Sequence, residues 1–318
     1  MVEKVFVTRR IPQAGLDALA AGAEVVVSPH DRDLSPEEVI AQSAGCRALV
    51  PTLANRVDGP LFDARPEIRI VANFAVGVDN IDLEAARQRG VVVTNTPGVL
   101  TAATADLAMA LILAVTRRLV EGDAILRAGQ FKGITPLFML GSDLEGKTLG
   151  VFGLGRIGLA LARRAAAFGL RIIYHKRSRR PEAEAELGAA YVGFDQLLAE
   201  SDILSINAPL TEETKGLFNY QAFARMKREA FLINTGRGPI VVEADLVRAL
   251  DEGLIQGAGL DVYEREPEVH PGLLDKKNVV LAPHLGSATQ EVRTKMALLV
   301  AENVIAFLGG REPPNRVV

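Results

Sequence analysis

The sequence predicts an α/β protein whose strands form parallel sheets, arranged in about two domains. Short runs rich in valine and isoleucine alternate with helical patterns along most of the chain. Several of these runs are apolar throughout, which is typical of strands covered on both faces. The length of 318 residues, at roughly 150 residues per domain, gives the domain count. The composition, 48% hydrophobic and 24% charged, is that of an ordered globular chain.

The strands follow one another at spacings that leave room for a helix between most of them. Turn residues flank the apolar runs, so their limits can be read from the sequence. The predicted strands are Val5–Thr8, Glu24–Ser28, Ala48–Pro51, Ile68–Phe74, Val91–Thr96, Thr148–Gly153, Arg171–His175, Ile203–Pro209, Phe231–Thr235, Gly257–Val262 and Val279–Pro283.

Helix signals support this interpretation. Ser35 precedes Pro36, which places a capping residue before a proline at the first helical position. Thr101 begins a long pattern that continues to about Ala128, and such a helix could connect two domains. The segment Gly129–Lys147 has weak periodicity and several glycines, so it is predicted to be a loop.

Charge, cysteine content and hydropathy exclude several classes of protein. The net charge of −3 and pI of about 5.9 disfavour binding to nucleic acid through the overall field. The single cysteine, Cys46, cannot form an intrachain disulfide, which favours a reducing, cytoplasmic location. The longest apolar run, Leu107–Val115, is too short to span a membrane, and the charged N-terminus does not resemble a signal peptide.

A glycine fingerprint predicts a dinucleotide site of the Rossmann type. Gly153, Gly155 and Gly158 follow a predicted strand and open a predicted helix. The first glycine would permit the tight turn, the second the approach of a pyrophosphate, and the third close packing of helix on strand. Phosphates would lie over the helix N-terminus, near the intervening residues Leu154, Arg156 and Ile157.

The residues after the next strand predict which dinucleotide binds. A site for NAD usually carries a carboxylate about 20 residues after the glycine loop. This chain instead has His175-Lys176-Arg177-Ser178-Arg179-Arg180. A guanidinium suits a 2′-phosphate, so we expect preference for NADP(H), with NAD(H) possible and with Arg177, Ser178 and Lys176 as contacts. A solvated basic loop is the alternative.

Three further motifs carry a family resemblance: Ile233–Val241 ("INTGRGPIV"), Gly257–Pro267 ("GAGLDVYEREP") and Ala282–Thr289 ("APHLGSAT"). With the glycine fingerprint and "NFAVGVDNID" at Asn73–Asp82, the chain resembles the D-isomer-specific 2-hydroxyacid dehydrogenases over nearly its whole length. Within that family it is most similar to the glyoxylate/hydroxypyruvate reductases. The resemblance implies two Rossmann-like or flavodoxin-like domains, with the active site in the cleft between them.

The resemblance places a catalytic trio on Arg237, Glu266 and His284, and the chemistry accounts for these residue types. Reduction of a 2-keto acid adds a hydride to the carbonyl carbon and a proton to its oxygen. His284 would donate the proton and Glu266 would support its charged form. Arg237 would bind the substrate carboxylate and polarise the carbonyl. The alternatives are a surface arginine and an acidic, solvated turn, while His270 is expected at the surface.

The resemblance also implies supporting contacts. The substrate would meet Leu53 and the backbone N–H groups of Val76 and Gly77. Besides the glycine loop and the basic stretch, the cofactor would contact Thr104, Thr235, Gly236, Asp261 and Gly286. No metal site is expected, because neither paired cysteines nor a His-Glu-x-x-His motif is present.

These expectations combine into a function. The predicted reaction is NADPH-dependent reduction of glyoxylate and hydroxypyruvate to glycolate and D-glycerate. The alternatives are reduction of a larger 2-keto acid such as 2-ketogluconate, dehydrogenation of D-3-phosphoglycerate, or a corepressor-type protein that senses dinucleotides. We expect a small 2-keto or 2-hydroxy acid as ligand and neither nucleic acid nor membrane as partner. Because the family uses the region of the Thr101 helix to form dimers, we also expect a homodimer.

The motifs also divide the chain. A discontinuous substrate-binding domain is expected to comprise residues 1–98 and 287–318, because by resemblance the last helix returns to the first domain. A dinucleotide-binding domain of residues 99–286 would lie between those segments.

Overall fold

The computed structural model describes residues 2–318, which divide into two compact units. The first unit contains the described residues up to Leu100 together with Ala288–Val318, and the second contains Thr101–Ser287. All named strands of both units pair in parallel, as the apolar strand patterns predict. The predicted α/β fold class is therefore confirmed.

The first unit is a five-stranded sheet with the strand order β2-β1-β3-β4-β5, the flavodoxin-like order. The C-terminal residues Val317 and Val318 bond to Val93 of the edge strand, and the last helix packs against the first. The elements are β1 (Lys4–Val7), α1 (Gln13–Ala20), β2 (Glu24–Val27), α2 (Pro36–Gln42), β3 (Ala48–Val50), α3 (Gly59–Ala64), β4 (Ile70–Ala72), α4 (Leu83–Gln88), β5 (Val92–Thr94) and, at the end of the chain, α13 (Gln290–Leu308).

The second unit is a seven-stranded sheet with the order β12-β11-β10-β9-β6-β7-β8. Its first strand lies between the second and the fourth, which creates a topological switch point between β6 and β9. The elements are α5 (Thr101–Thr116), α6 (Leu119–Arg127), β6 (Thr148–Phe152), α7 (Arg156–Ala167), β7 (Arg171–His175), α8 (Pro181–Leu187), β8 (Ala190–Tyr191), α9 (Phe194–Glu200), β9 (Ile203–Ile206), α10 (Tyr220–Phe223), β10 (Phe231–Asn234), a 3₁₀ turn (Gly238–Ile240), α11 (Glu243–Asp251), β11 (Gly257–Leu260), α12 (Pro271–Leu274) and β12 (Val279–Leu281).

Local signals located most elements correctly. Every predicted strand is present, with bounds that differ by a few residues at most. Helix α2 begins after Ser35, whose side chain accepts from the Glu38 amide while Glu38 bonds back to the Ser35 amide. The segment predicted as a loop, residues 129–147, contains neither helix nor strand. The short edge strand β8 escaped prediction because only two of its residues pair.

The long helix predicted from Thr101 to Ala128 is wrong, because two helices occupy that segment. Arg118 has φ of +52°, a left-handed conformation that an α-helix cannot include. The Thr116 hydroxyl donates to the Ile112 carbonyl at 2.7 Å, a bond that bends a helix end, and the Thr116 carbonyl accepts from the Ser142 amide instead of continuing the helix. The apolar spacing of the sequence is unchanged across this break, so it gives no warning of it.

The cores agree with the patterning of the strands. Strands β6, β9, β10 and β11 are buried at every position, as central strands of a sheet covered on both faces should be. No helix within residues 2–318 combines the length and the apolar character needed to cross a membrane.

Candidate active site

The glycine loop lies at the carboxyl end of β6, beside the switch point of the sheet. Gly153 has φ of +94°, and a Cβ there would lie 2.6 Å from the Ala208 amide nitrogen, so only glycine fits this turn. A Cβ on Gly158 would lie 2.5 Å from the Gly153 carbonyl oxygen, where α7 crosses the end of β6. The loop therefore has the geometry by which dinucleotide-binding folds bring a helix N-terminus close to a strand end.

Space and unsatisfied polar atoms fit a dinucleotide at this edge of the sheet. A Cβ on Gly155 would meet no atom within 4 Å, which leaves the loop open to a ligand. Two buried oxygens at the ends of neighbouring strands, Oγ1 of Thr235 and Oδ1 of Asn207, have no hydrogen-bond partner among residues 2–318. Buried polar atoms without a protein partner are the groups a bound ligand would satisfy.

The basic stretch after β7 separates into two kinds of residue. Arg179 pairs with Glu184 at 2.6 Å, and Arg180 donates to the carbonyls of Leu154 and Gly155 at 3.1 and 3.0 Å. These two arginines are therefore engaged by the protein, and Arg180 supports the glycine loop. Arg177 and Ser178 are exposed, and within residues 2–318 Lys176 donates only to the Ser178 hydroxyl, at 3.3 Å. Lys176, Arg177 and Ser178 are the residues predicted to contact a 2′-phosphate.

The structure brings Glu266 and His284 together. Oε2 of Glu266 lies 2.8 Å from Nδ1 of His284, and Oε1 accepts from the Tyr263 amide at 3.1 Å. Burial raises the pKa of Glu266, but the hydrogen bond and charge of His284, with the Tyr263 amide and Arg237, outweigh burial and lower that pKa overall. The His284 side chain is 32% exposed, so its other ring nitrogen can reach a ligand.

His284 has a backbone conformation that is uncommon for its residue type. Its φ is +53°, in the left-handed region. Asp261, the residue directly after β11, holds it there, because the Asp261 carbonyl accepts from the His284 amide at 2.9 Å. The Asp261 carboxylate accepts from the amides of Leu285 and Gly286 at 2.6 and 2.9 Å. Burial raises the pKa of Asp261 above its ordinary value, although these amides oppose the effect.

Two further residues hold the loops that carry the trio. Asn234, buried at the end of β10, accepts from the Gly236 amide at 3.0 Å and donates to the Arg237 carbonyl at 3.1 Å. The Tyr263 hydroxyl donates to the Ala282 carbonyl at 2.9 Å, just before His284. The Arg237 guanidinium donates to the Gly236 carbonyl at 3.0 Å, and its charge also acts on Glu266.

The remaining predicted contacts are distributed over both units. In the second, the buried Thr104 hydroxyl donates to the Gly286 carbonyl at 2.8 Å. In the first, Leu53 is half-buried, and Asn95 and Asn73 donate to the carbonyls of Val76 and Gly77 at 2.7 and 2.8 Å. The amides of Val76 and Gly77 donate no hydrogen bond within the described chain.

Sequence reasoning missed several supporting residues. Asn207 and Asn234 each follow an apolar strand directly, and that placement at a carboxyl strand end was the available signal. Arg180 could not be separated from its basic neighbours by sequence. His270, expected at the surface, is half-buried, and its Nδ1 accepts from the Gly272 amide to cap α12.

Across residues 2–318 there is no group of three or more histidine, cysteine, aspartate or glutamate side chains arranged to hold a metal ion.

Comparison with known proteins defines the family. The model of the D-isomer specific 2-hydroxyacid dehydrogenase, NAD binding domain, matches residues 109–286. A glyoxylate reductase from Thermococcus kodakarensis is 51% identical over 100% of this chain and 96% of its own.

Comparison with solved structures agrees with this family. A Thermus thermophilus protein has a TM-score of 0.93 at 46% identity, covering 99% of this chain and 100% of its own. An NADPH-dependent glyoxylate/hydroxypyruvate reductase from Sinorhizobium meliloti, solved with NADP and malonate, has a TM-score of 0.90 at 38% identity, covering 100% and 97%.

The doubly wound sheet, the glycine loop and the matching family model define an NAD(P)-dependent oxidoreductase. The chain belongs to the D-isomer specific 2-hydroxyacid dehydrogenase family. The resemblance inferred from its motifs is thereby confirmed.

Proposed function

We propose that this protein reduces glyoxylate and hydroxypyruvate to glycolate and D-glycerate, with NADPH as the preferred cofactor. The observation that carries the proposal is the 2.8 Å hydrogen bond between Glu266 and His284, on the unit that holds the glycine loop and Arg237. The names of the relatives from Thermococcus kodakarensis and Sinorhizobium meliloti support the choice of substrate.

The residues divide the chemistry among them. A nicotinamide dinucleotide, when bound, supplies the hydride that goes to the carbonyl carbon of the keto acid. His284 donates the proton to the carbonyl oxygen, which becomes the hydroxyl of the product. Glu266 accepts the hydrogen bond of the ring and stabilises its charged form. Arg237 binds the substrate carboxylate and polarises the carbonyl with paired N–H donors.

The proposed binding contacts follow from groups that the protein leaves available. The amides of Val76 and Gly77 donate no hydrogen bond in the described chain, which suits a carboxylate ligand, and Leu53 is proposed as an apolar contact. For the cofactor, the N-terminal turn of α7 with Gly153–Gly158 is proposed to hold the phosphates. Thr104 remains a proposed contact to the cofactor phosphates, Gly236 a further cofactor contact, and Thr235, Asp261 and Gly286 proposed contacts toward the nicotinamide. The Thr235 hydroxyl, which has no hydrogen-bond partner among residues 2–318, supports that assignment.

The proposal is tested by a matrix of kcat/KM values that crosses NADH and NADPH with glyoxylate, hydroxypyruvate, pyruvate and 2-ketogluconate. Oxidation of the cofactor is followed by absorbance. We expect the largest values with NADPH and the two small keto acids. Highest activity on 2-ketogluconate would instead assign a larger substrate, and absence of turnover on every keto acid would favour a protein that only senses dinucleotides.

Arg177→Ala is expected to lower kcat/KM with NADPH by about 10-fold and leave that with NADH nearly unchanged. The reason is that a guanidinium bonded to a 2′-phosphate contributes about 1.5 kcal/mol or more. Among residues 2–318, the exposed Arg177 forms no ion pair or side-chain hydrogen bond that the substitution would remove. Arg179→Ala is the matched control, because Arg179 is already paired with Glu184. Equal losses with both cofactors would contradict the assignment.

We further propose that the protein is a homodimer formed through the apolar surface of residues 119–140. No residue of α6 is buried, and the large exposed apolar side chains of this surface include Leu126, Ile134 and Leu137 at 61%, 91% and 81% exposure. A surface of this kind is characteristic of a protein interface, and a second copy is the occupant we propose.

Light scattering at micromolar concentration is expected to give about 68 kDa, twice the chain mass of 34.0 kDa. The double variant Ile134→Asp/Leu137→Asp should reduce that mass toward the monomer, since two charges would be buried at the interface. Leu274→Asp, at an exposed apolar position outside this surface, is the control. A monomeric wild type would overturn the proposal.

A further inference from the structure

Glu243, at the start of α11, is a buried carboxylate whose partners are backbone amides. It is 6% exposed, and no lysine, arginine or histidine within residues 2–318 forms an ion pair with it. One oxygen, Oε1, accepts from the Glu264 amide at 2.7 Å, and the other, Oε2, accepts from the His270 amide at 3.2 Å. A buried charge is costly unless it is fully hydrogen-bonded, so this residue has a specific structural task.

The amides of Glu264 and His270 lie on either side of Glu266 in the sequence. One lies two residues before it and the other four residues after it, so a single carboxylate holds both ends of the segment of residues 264–270. The contact between Glu243 and Glu264 is reciprocal, because Oε2 of Glu264 accepts from the Glu243 amide at 3.1 Å. The position of the carboxylate in the first turn of α11 is also favourable for a negative charge.

The same segment is tied to the loop that carries Arg237. A Cβ on Gly238 would lie 1.7 Å from the Tyr263 carbonyl oxygen, so the backbone next to Arg237 is in direct contact with the start of the Glu266 segment. Glu243 follows this loop in sequence and accepts from backbone amides at both ends of the segment. The relative placement of Arg237 and Glu266 therefore depends on a small set of backbone contacts.

We propose that Glu243 is a positioning residue for proton transfer. By fixing both ends of the segment of residues 264–270, it keeps one oxygen of Glu266 on the Tyr263 amide and the other on Nδ1 of His284. This assignment rests on the proposed roles of Glu266 and His284. It adds a residue that touches neither substrate nor cofactor and acts through the backbone.

The charged groups around Glu266 and His284 determine how a displacement of Glu266 would change the electrostatic environment of the His284 ring. Glu266 is influenced by His284 and Arg237, and Asp261 adds a second negative group near His284. Burial raises the pKa of Tyr263 to about 12, so its phenol stays neutral at neutral pH. Of these groups, Glu266 alone accepts the hydrogen bond of the His284 ring in the described structure.

The test is Glu243→Gln. Glutamine has the size of glutamate but only one acceptor oxygen, and its NH₂ group would face the second backbone amide. Because Glu266 would move from the ring, we expect the NMR resonance of the His284 Nδ1 proton, recorded in the free protein, to move upfield as its hydrogen bond to the carboxylate weakens. In turnover, kcat should fall by about 10- to 100-fold with the cofactor KM little changed, and the alkaline limb of the pH profile should move to lower pH. Glu266→Gln sets the full size of the shift in this resonance.

Asp245→Asn is the matched control. Asp245 lies in the same first turn of α11, but its carboxylate accepts from the Tyr220 amide, outside the Glu266 segment. The His284 ring resonance and the pH profile of this variant should match those of the wild type. Glu264→Ala removes only the reciprocal bond and should give a smaller shift in the same direction, which keeps the test informative if Glu243→Gln folds poorly.

An unchanged His284 Nδ1 proton resonance in both Glu243→Gln and Glu264→Ala would overturn the proposal, as would an equal shift of that resonance in Asp245→Asn. Since the resonance is recorded with neither substrate nor cofactor present, this measurement is independent of the proposed reaction. A shift without turnover on any keto acid would preserve the positioning role and refute the reductase assignment.

Discussion

His284→Ala is expected to lower kcat for reduction of glyoxylate by about 10²- to 10⁴-fold, the usual contribution of a positioned general acid. The imidazole is the group we propose to donate the proton to the carbonyl oxygen. Its Nδ1 is held by Glu266 at 2.8 Å, which leaves Nε2 as the nitrogen that would face the substrate. The loss should appear in kcat at saturating cofactor and keto acid, measured by the decrease in cofactor absorbance.

Two measurements make this result specific. His30→Ala replaces an exposed histidine of the first unit and should leave kcat at the wild-type value. Binding of NADPH to His284→Ala, measured by fluorescence, should be retained, because the glycine loop is untouched. A variant that turns over near the wild-type rate would show that another group donates the proton.

Arg237→Lys is expected to lower kcat/KM by about 10²- to 10³-fold, comparable with the removal of a donor to a developing oxyanion. Lysine keeps the charge but cannot offer two parallel N–H groups to a carboxylate. Asn234 and the contact at Gly238 fix the loop around Arg237, so a shorter reach cannot be recovered by moving the backbone. Initial rates over a range of glyoxylate concentrations should show both a higher KM and a lower kcat.

Arg248→Lys is the control for this substitution. It changes an exposed arginine on α11 of the same unit, whose guanidinium stacks on Tyr220. Its kcat/KM should stay within about twofold of the wild type, since exposed ion pairs contribute little. If Arg237→Lys also retains wild-type kcat/KM, the arginine does not bind the reacting carboxylate or carbonyl.

Much of the fold was accessible from local sequence, and the failures have a common origin. The strands were predictable because burial on both faces gives continuous apolar runs, and Ser35 marked a helix start through its own capping bond. The break at Arg118 was not predictable, because it depends on the loop near Ser142, whose amide binds the Thr116 carbonyl. Strand β8 was missed because two paired residues leave no periodic pattern.

The residues of the candidate site also separate into those that the sequence predicted and those that only the structure reveals. Arg237, Glu266 and His284 were identified from motifs, and the structure brings Glu266 and His284 into hydrogen-bond contact. Glu243 and Arg180 were not identified as supporting residues, because their function is visible only through partners distant in sequence. Glu243 meets backbone amides at residues 264 and 270, and Arg180 meets carbonyls at residues 154 and 155.

The sequence by itself determined the α/β class, the glycine loop, the absence of a carboxylate after β7 and the family of the chain. Each of these depends on residue type and short spacing, which a linear chain displays directly. The tertiary structure alone decided the strand order and the left-handed backbone of His284. It also decided the hydrogen bonds by which Asp261 and Glu243 hold the loops of the catalytic residues. These features arise from hydrogen bonds between residues about 20 or more positions apart, and their energies depend on packing that no local pattern encodes.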